Sequence, residues 1–165
     1  MKRLVLVRHA KAIHWGYEDD FNRELTKRGE SDATRVSKHM ENLGIIPDRI
    51  ISSPASRAWQ TAVIFAGQLH FPPEDLIKNH ELYHGLTTGE LMDLIHALPE
   101  EVTCVFLFGH NPSFEYYARG LCKSFDGNMP TSSAAVIDFH VNLWKEVTTR
   151  SGLLFGHFNP KDIPV

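Results

Sequence analysis

Residues 102–108 read Val-Thr-Cys-Val-Phe-Leu-Phe, the most apolar run in the chain, and Gly109 closes it. A short run of this kind, rich in β-branched and aromatic side chains, predicts a central strand buried on both faces. Such a strand has no polar side to turn to water, so its sheet must be covered above and below. Lys2–Arg8, rich in Val and Leu, predicts a second buried strand.

Helical periods alternate with these runs. Residues 25–43 place Ala33, Val36, Met40 and Leu43 on one face, and Gly44 follows as a stop signal. Arg49–Ser52 predicts a short strand. Ser53-Pro54 then predicts a serine cap and a first-turn proline for a helix through Ala58, Ala62, Phe65 and Leu69, ending before Pro72-Pro73. Leu76–Lys78 is a candidate third strand. Thr88–Ala97 is a candidate helix with Leu91, Leu94 and Ile95 inward, and Asn111-Pro112 opens another to about Leu121. Ala134–Phe139 and Leu153–Phe158 predict closing strands, antiparallel to the rest. Phe106, Phe108, Tyr116 and Phe139 are expected in the core. The alternation implies an α/β fold: a single domain over residues 1–165, built as a three-layer α/β/α sandwich around a mixed, mostly parallel sheet.

The formal net charge is −3, which gives no reason to expect nucleic acid, whose partners carry a basic patch. No stretch approaches the roughly 20 apolar residues of a membrane span. Cys104 and Cys122, with no C-x-x-C spacing, read as reduced thiols of a cytoplasmic protein.

In sheets of this kind ligands bind beyond the carboxyl ends of the strands. Three strand ends carry chemistry. The first is followed by Arg8-His9-Ala10-Lys11, the second by Ser52-Ser53-Pro54 and then Arg57, and the apolar run by Gly109-His110-Asn111. Arginine offers a planar fork that matches phosphate oxygens and stays charged. Two arginines could hold a phosphoryl group from two sides and stabilise the charge spread over it during transfer. A neutral imidazole with one nitrogen tied and the other free is a nucleophile toward phosphorus. A second, charged histidine would be a further donor, and no metal or cofactor is required. The acidic, aromatic stretch with Trp15, Tyr17, Glu18, Asp19, Asp20 and Phe21 reads as a loop over this rim, where Asp20 or Arg23 would brace the arginines.

These segments resemble the signatures of the histidine phosphatase (phosphoglycerate mutase-like) superfamily. Leu6-Val7-Arg8-His9-Ala10 is similar to its R-H-G motif, with Ala10 where many members have glycine. Residues 52–62, Ser-Ser-Pro-Ala-Ser-Arg-Ala-Trp-Gln-Thr-Ala, resemble its S-S-P-x-x-R-A-x-Q-T-A segment, and Gly109-His110-Asn111 its G-H-N. Arg23-Glu24-Leu25-Thr26-Lys27-Arg28-Gly29 resembles R-P-L-T-x-x-G, with Glu24 in place of proline. The short chain, without a large inserted cap, most resembles the SixA branch of phosphohistidine phosphatases. The resemblance implies a phosphoglycerate mutase-like fold, His9 as nucleophile, and Arg8, Arg57 and His110 completing the phosphate pocket. Glu81 is the best positional match to the superfamily's proton donor. The implied substrate is a phosphorylated protein carrying phosphohistidine, or a small phosphorylated molecule.

His80-Glu81-Leu82-Tyr83-His84 competes as a formal H-E-x-x-H zinc motif. That motif needs a helix with both histidines on one face. Here it stands between a candidate strand and Gly85, so a polar loop near the pocket mouth is expected. Besides a zinc hydrolase, the alternatives are a small-metabolite phosphatase or mutase, and a phosphate-binding protein without activity.

Overall fold

The computed structural model describes residues 1–164. Six strands form one mixed sheet: β1 (Lys2–Arg8), β2 (Arg49–Ser52), β3 (Ile77–Lys78), β4 (Cys104–Gly109), β5 (Ala134–Phe139) and β6 (Leu153–Phe158). Their order across the sheet is β3-β2-β4-β1-β5-β6. The first four run parallel, with Val5 opposite Phe106 and Ile50 opposite Phe106 on its other side. β5 pairs antiparallel with β1, and β6 antiparallel with β5, as predicted for the closing strands.

The apolar runs alternate between two cores. Leu4, Leu6, Val105 and Leu107 face one layer, which contains α3 (Glu81–His84), α4 (Thr88–His96) and α5 (Ser113–Leu121). Val5, Val7, Phe106 and Phe108 face the other, which contains α1 (Lys27–Asn42) and α2 (Ser56–Gln68). β1 and β4 are central, which is why neither keeps a polar face. Phe65 of α2 meets Phe108 edge-on at 5.1 Å between ring centroids, an arrangement favoured by the ring quadrupoles. Among the described residues no helix is long and apolar enough to cross a membrane.

Several elements differ from the sequence reading. α2 starts at Ser56, not at Ser53-Pro54, and Ser53 does not cap it. The backbone N–H of Ser53 still bonds to Phe108 O (2.9 Å), so the chain stays tied to β4 for one residue beyond β2. α5 likewise starts at Ser113, after Asn111-Pro112. α1 starts at Lys27 under a Thr26 cap, because Leu25 is engaged in a bridge with Ala12. Leu43 is 45% exposed: it lies past the last turn, where Gly44 at φ +73 reverses the chain. Tyr116 is 66% exposed instead of in the core. Helical spacing puts Phe114, Tyr117, Ala118 and Leu121 inward, and 116 falls off that stripe. The third strand is shorter, excluding Leu76.

Candidate active site

β1, β4 and β2 are neighbours in the sheet, so the three chemistry-bearing segments leave it side by side. His9 N–H donates to Gly109 O (2.9 Å), and Ser53 N–H to Phe108 O (2.9 Å). These bonds bring His9, His110 and Arg57 to one edge although they come from opposite halves of the chain.

His9 is 7% exposed. Its Nδ1 lies 2.7 Å from Ala10 O. A carbonyl only accepts, so Nδ1 carries the proton and the lone pair is on Nε2. Ala10 is itself anchored: its N–H donates to Thr61 Oγ1 (2.9 Å), and that hydroxyl donates to Arg57 O (2.7 Å). Arg57 and Thr61 stand four apart on α2, on one face, so a single helical turn carries both an arginine of the site and the post that holds the His9 loop.

Each guanidinium is oriented by backbone carbonyls. Arg8 Nη1 donates to Met129 O (3.0 Å). Arg57 Nη1 donates to Asp20 O (2.7 Å) and its Nη2 to Asp20 Oδ2 (2.8 Å). Asp20 also accepts from Arg23 Nε (3.0 Å) and from the Tyr83 hydroxyl (2.9 Å). The brace expected of the acidic loop is therefore present. Asn111 Nδ2 donates to Met129 O (2.9 Å) and Glu115 Oε1 (3.0 Å), fixing the carbonyl that holds Arg8. His110 Nε2 lies 2.8 Å from Ser53 Oγ. The His110 ring stands 5.3 Å from that of His9 and 5.5 Å from that of Tyr83, centroid to centroid.

Arg8 Nε, Arg57 Nε and His110 Nδ1 are buried and without partners. Unpaired buried polar atoms are costly, and two guanidinium donors beside an unpartnered imidazole nitrogen mark a place shaped for an anion. The electrostatics agree. Burial, with His110 and the two arginines adding to it, lowers the His9 pKa to about 3 against the opposing bond to Ala10 O. Burial and Arg57 lower His110 to about 4. His110 is therefore neutral here at physiological pH, and not the charged donor expected from the sequence. Burial also lowers Arg8, against the pull of Glu115. Asp20 goes the other way. Burial would raise it, but the bonds from Arg57, Tyr83 and Arg23 hold it at about 2.

Glu81 is exposed at the first position of α3; its backbone N–H bonds to Asn79 Oδ1 (2.9 Å), and its carboxylate bonds to none of the four clustered residues. The expected polar loop at 80–84 is instead the short helix α3, with Leu82 buried and Tyr83 set against His110. His80 stands at the N-cap of that four-residue helix. Among the described residues no three His, Cys, Asp or Glu side chains are grouped to hold a metal ion.

Sequence reasoning missed Ser53 as a partner of His110, and Thr61, Tyr83 and the Met129 carbonyl. The spacing of Thr61 from Arg57 was a usable signal. The Met129 carbonyl had none, since a backbone acceptor leaves no mark in the residue pattern.

A model of the histidine phosphatase superfamily (branch 1) matches residues 4–113. An uncharacterised chloroplastic protein of Arabidopsis thaliana is 29% identical over 165 residues, covering 92% of this chain and 72% of that one. The mitochondrial serine/threonine-protein phosphatase Pgam5 of Drosophila yakuba is 31% identical over 99 residues, which is 60% of this chain but only 34% of that protein's length. Among solved structures, a putative phosphohistidine phosphatase SixA from Agrobacterium tumefaciens is similar at 28% identity and a TM-score of 0.80, over 96% of this chain and 98% of its own. The family match contains Arg8, His9, Arg57 and His110, and it makes this chain a member of the histidine phosphatase superfamily.

Proposed function

We propose that this phosphatase works through a phosphohistidine formed on His9, with Arg8, Arg57 and His110 binding the transferring group, and that its substrate is a phosphohistidine side chain of a protein. The observation that carries the reading is the cluster of unpartnered buried nitrogens, Arg8 Nε, Arg57 Nε and His110 Nδ1, beside an imidazole whose Nδ1 is tied to Ala10 O.

In the first step the His9 Nε2 lone pair forms a bond to phosphorus while the bond to the leaving group breaks and takes its electron pair with it. The guanidiniums stabilise the charge on the equatorial oxygens, the role that metal ions fill in other phosphatases. In the second step a water oxygen bonds to phosphorus, the Nε2–P bond breaks, and its pair returns to Nε2. The water's proton stays on the phosphate or passes to solvent.

The leaving group is where the substrate class enters. A phosphorylated imidazole protonated on its other nitrogen departs as neutral imidazole and needs no acid. An alkoxide needs one. Asp20, held at about 2, is ionised at neutral pH and cannot donate, and Glu81 has no bond to the cluster. The SixA likeness of the solved structure supports the same substrate class. A second reading, a small-metabolite phosphatase, is favoured by the place of Glu81 at the start of α3, whose Tyr83 contacts His110.

The test is phosphate release from a phosphohistidine protein and from alkyl phosphates, with wild type, His9→Ala and Glu81→Gln. The expected result is a loss of about 10³-fold or more in His9→Ala, with Glu81→Gln leaving phosphohistidine turnover intact. Unchanged turnover in His9→Ala would sink the mechanism. Preference for alkyl phosphates with loss in Glu81→Gln would establish the metabolite reading.

A further inference from the structure

Ser53 is the first of the three residues between β2 and α2, and it is fully buried. Its polar groups are committed. The N–H goes to Phe108 O, the carbonyl accepts from the Ser52 hydroxyl (2.8 Å), and Oγ accepts the Ala55 N–H (3.3 Å). Its hydroxyl hydrogen has one remaining neighbour, His110 Nε2, at 2.8 Å.

Two arrangements of that contact are possible. If His110 Nε2–H donates to Ser53 Oγ, the serine hydrogen has no acceptor and the Nδ1 lone pair has no donor. Two buried groups are then orphaned, and a lone pair would face any incoming anion. If Ser53 donates to Nε2, the ring's one proton sits on Nδ1. A single buried donor is then left over, and a phosphoryl oxygen satisfies it. Counting unpaired buried groups selects the second arrangement.

We propose that Ser53 is a positioning residue that fixes the tautomer of His110, donating to Nε2 so that Nδ1–H is held as a neutral donor toward the phosphoryl group. The proposal rests on the phosphoryl-pocket reading for its purpose, but not for its test. A neutral donor of fixed direction requires no proton from solvent before each turnover, and its ring plane is held between His9 and Tyr83. The burial that lowers the His110 pKa to about 4 keeps the ring uncharged while the site is empty.

The experiment is long-range ¹H–¹⁵N correlation on histidine-labelled protein without substrate, at neutral pH. The wild type is expected to show Nδ1 protonated and Nε2 bare for His110. Ser53→Ala, which removes one atom from a buried site, is expected to shift the ring toward the Nε2–H form. Ser53→Thr, which keeps the hydroxyl, is expected to restore Nδ1–H. In turnover assays Ser53→Ala should lose about tenfold or more in kcat, with KM changed much less, as for a donor whose bond strengthens in the transition state. A wild-type spectrum with Nε2 protonated, or a tautomer unmoved by Ser53→Ala, overturns the proposal. The spectrum needs no substrate, so failure of the phosphohistidine assay and failure of the tautomer assignment are separate results. The wild-type spectrum decides the point even where a variant fails to fold.

Discussion

Replacing Thr61 by Val keeps the shape of a fully buried side chain and removes its oxygen. Two bonds are lost, and they are unequal. The carbonyl of Arg57 still accepts its helical N–H, so losing the Thr61 hydroxyl there costs little. The Ala10 N–H has no such substitute and is left buried and unpaired. That penalty is about 1–3 kcal/mol. With a urea slope of about 1–3 kcal/mol/M, the unfolding midpoint should fall by roughly 1 M. Activity should fall further than stability accounts for. Ala10 also supplies the carbonyl that orients the His9 ring, and a displacement of about 1 Å at a reacting atom can cost up to about 10²-fold. The assay pairs urea unfolding with turnover measured well below the transition, for Thr61→Val and for Thr61→Ser, which keeps the hydroxyl and should recover most of both. A Thr61→Val protein with an unshifted midpoint and wild-type turnover would refute the claim that this bond holds the His9 loop.

Gly29→Ala should destabilise by about 1–3 kcal/mol although alanine is the better helix former, because the new Cβ would collide with the Lys11 carbonyl; Tm by calorimetry checks the sign. Stability should fall on acidification. The folded pKa values of His9 and His110, about 3 and 4, lie below the ordinary 6.5, so the unfolded chain takes up protons that the folded chain refuses. Stability from this source is complete above 6.5 and is lost as pH falls toward 4, at up to about 1.4 kcal/mol per pH unit for each group. Urea midpoints across that range measure the slope, and His9→Asn with His110→Asn should flatten most of it. Asp20→Asn should raise KM about tenfold by freeing Arg57, with a smaller effect from Tyr83→Phe; tungstate inhibition should weaken in parallel if Arg57 placement is the cause.

The central strands were legible because burial on both faces leaves no alternative to an apolar run, as in Leu4–Val7 and Val105–Phe108. The four clustered residues were legible because each ends a strand, directly follows one, or follows the turn after one. Boundaries were less so. Ser53-Pro54 is the same dipeptide whether it caps a helix or extends a strand, and the bond to Phe108 O that decides between them involves only backbone. Tyr116 and Tyr117 are identical neighbours, and only their place on the helical period, Tyr117 in line with Phe114 and Leu121, separates surface from core. The partners of the arginines were hidden for another reason. Arg8 meets Met129, and Arg57 meets the carbonyl of Asp20, across separations that depend on strand order.

That strand order has a consequence for synthesis. β4 lies between β1 and β2, yet it is made long after both. Until residues 104–109 leave the ribosome, the strand before His9 and the strand before Arg57 have no strand between them to fix their spacing, and His110 does not yet exist. Pairing across such a distance is slow and comes late. A truncated or stalled chain therefore carries His9 without His110 beside it, and the four clustered residues come together only once β4 is in place.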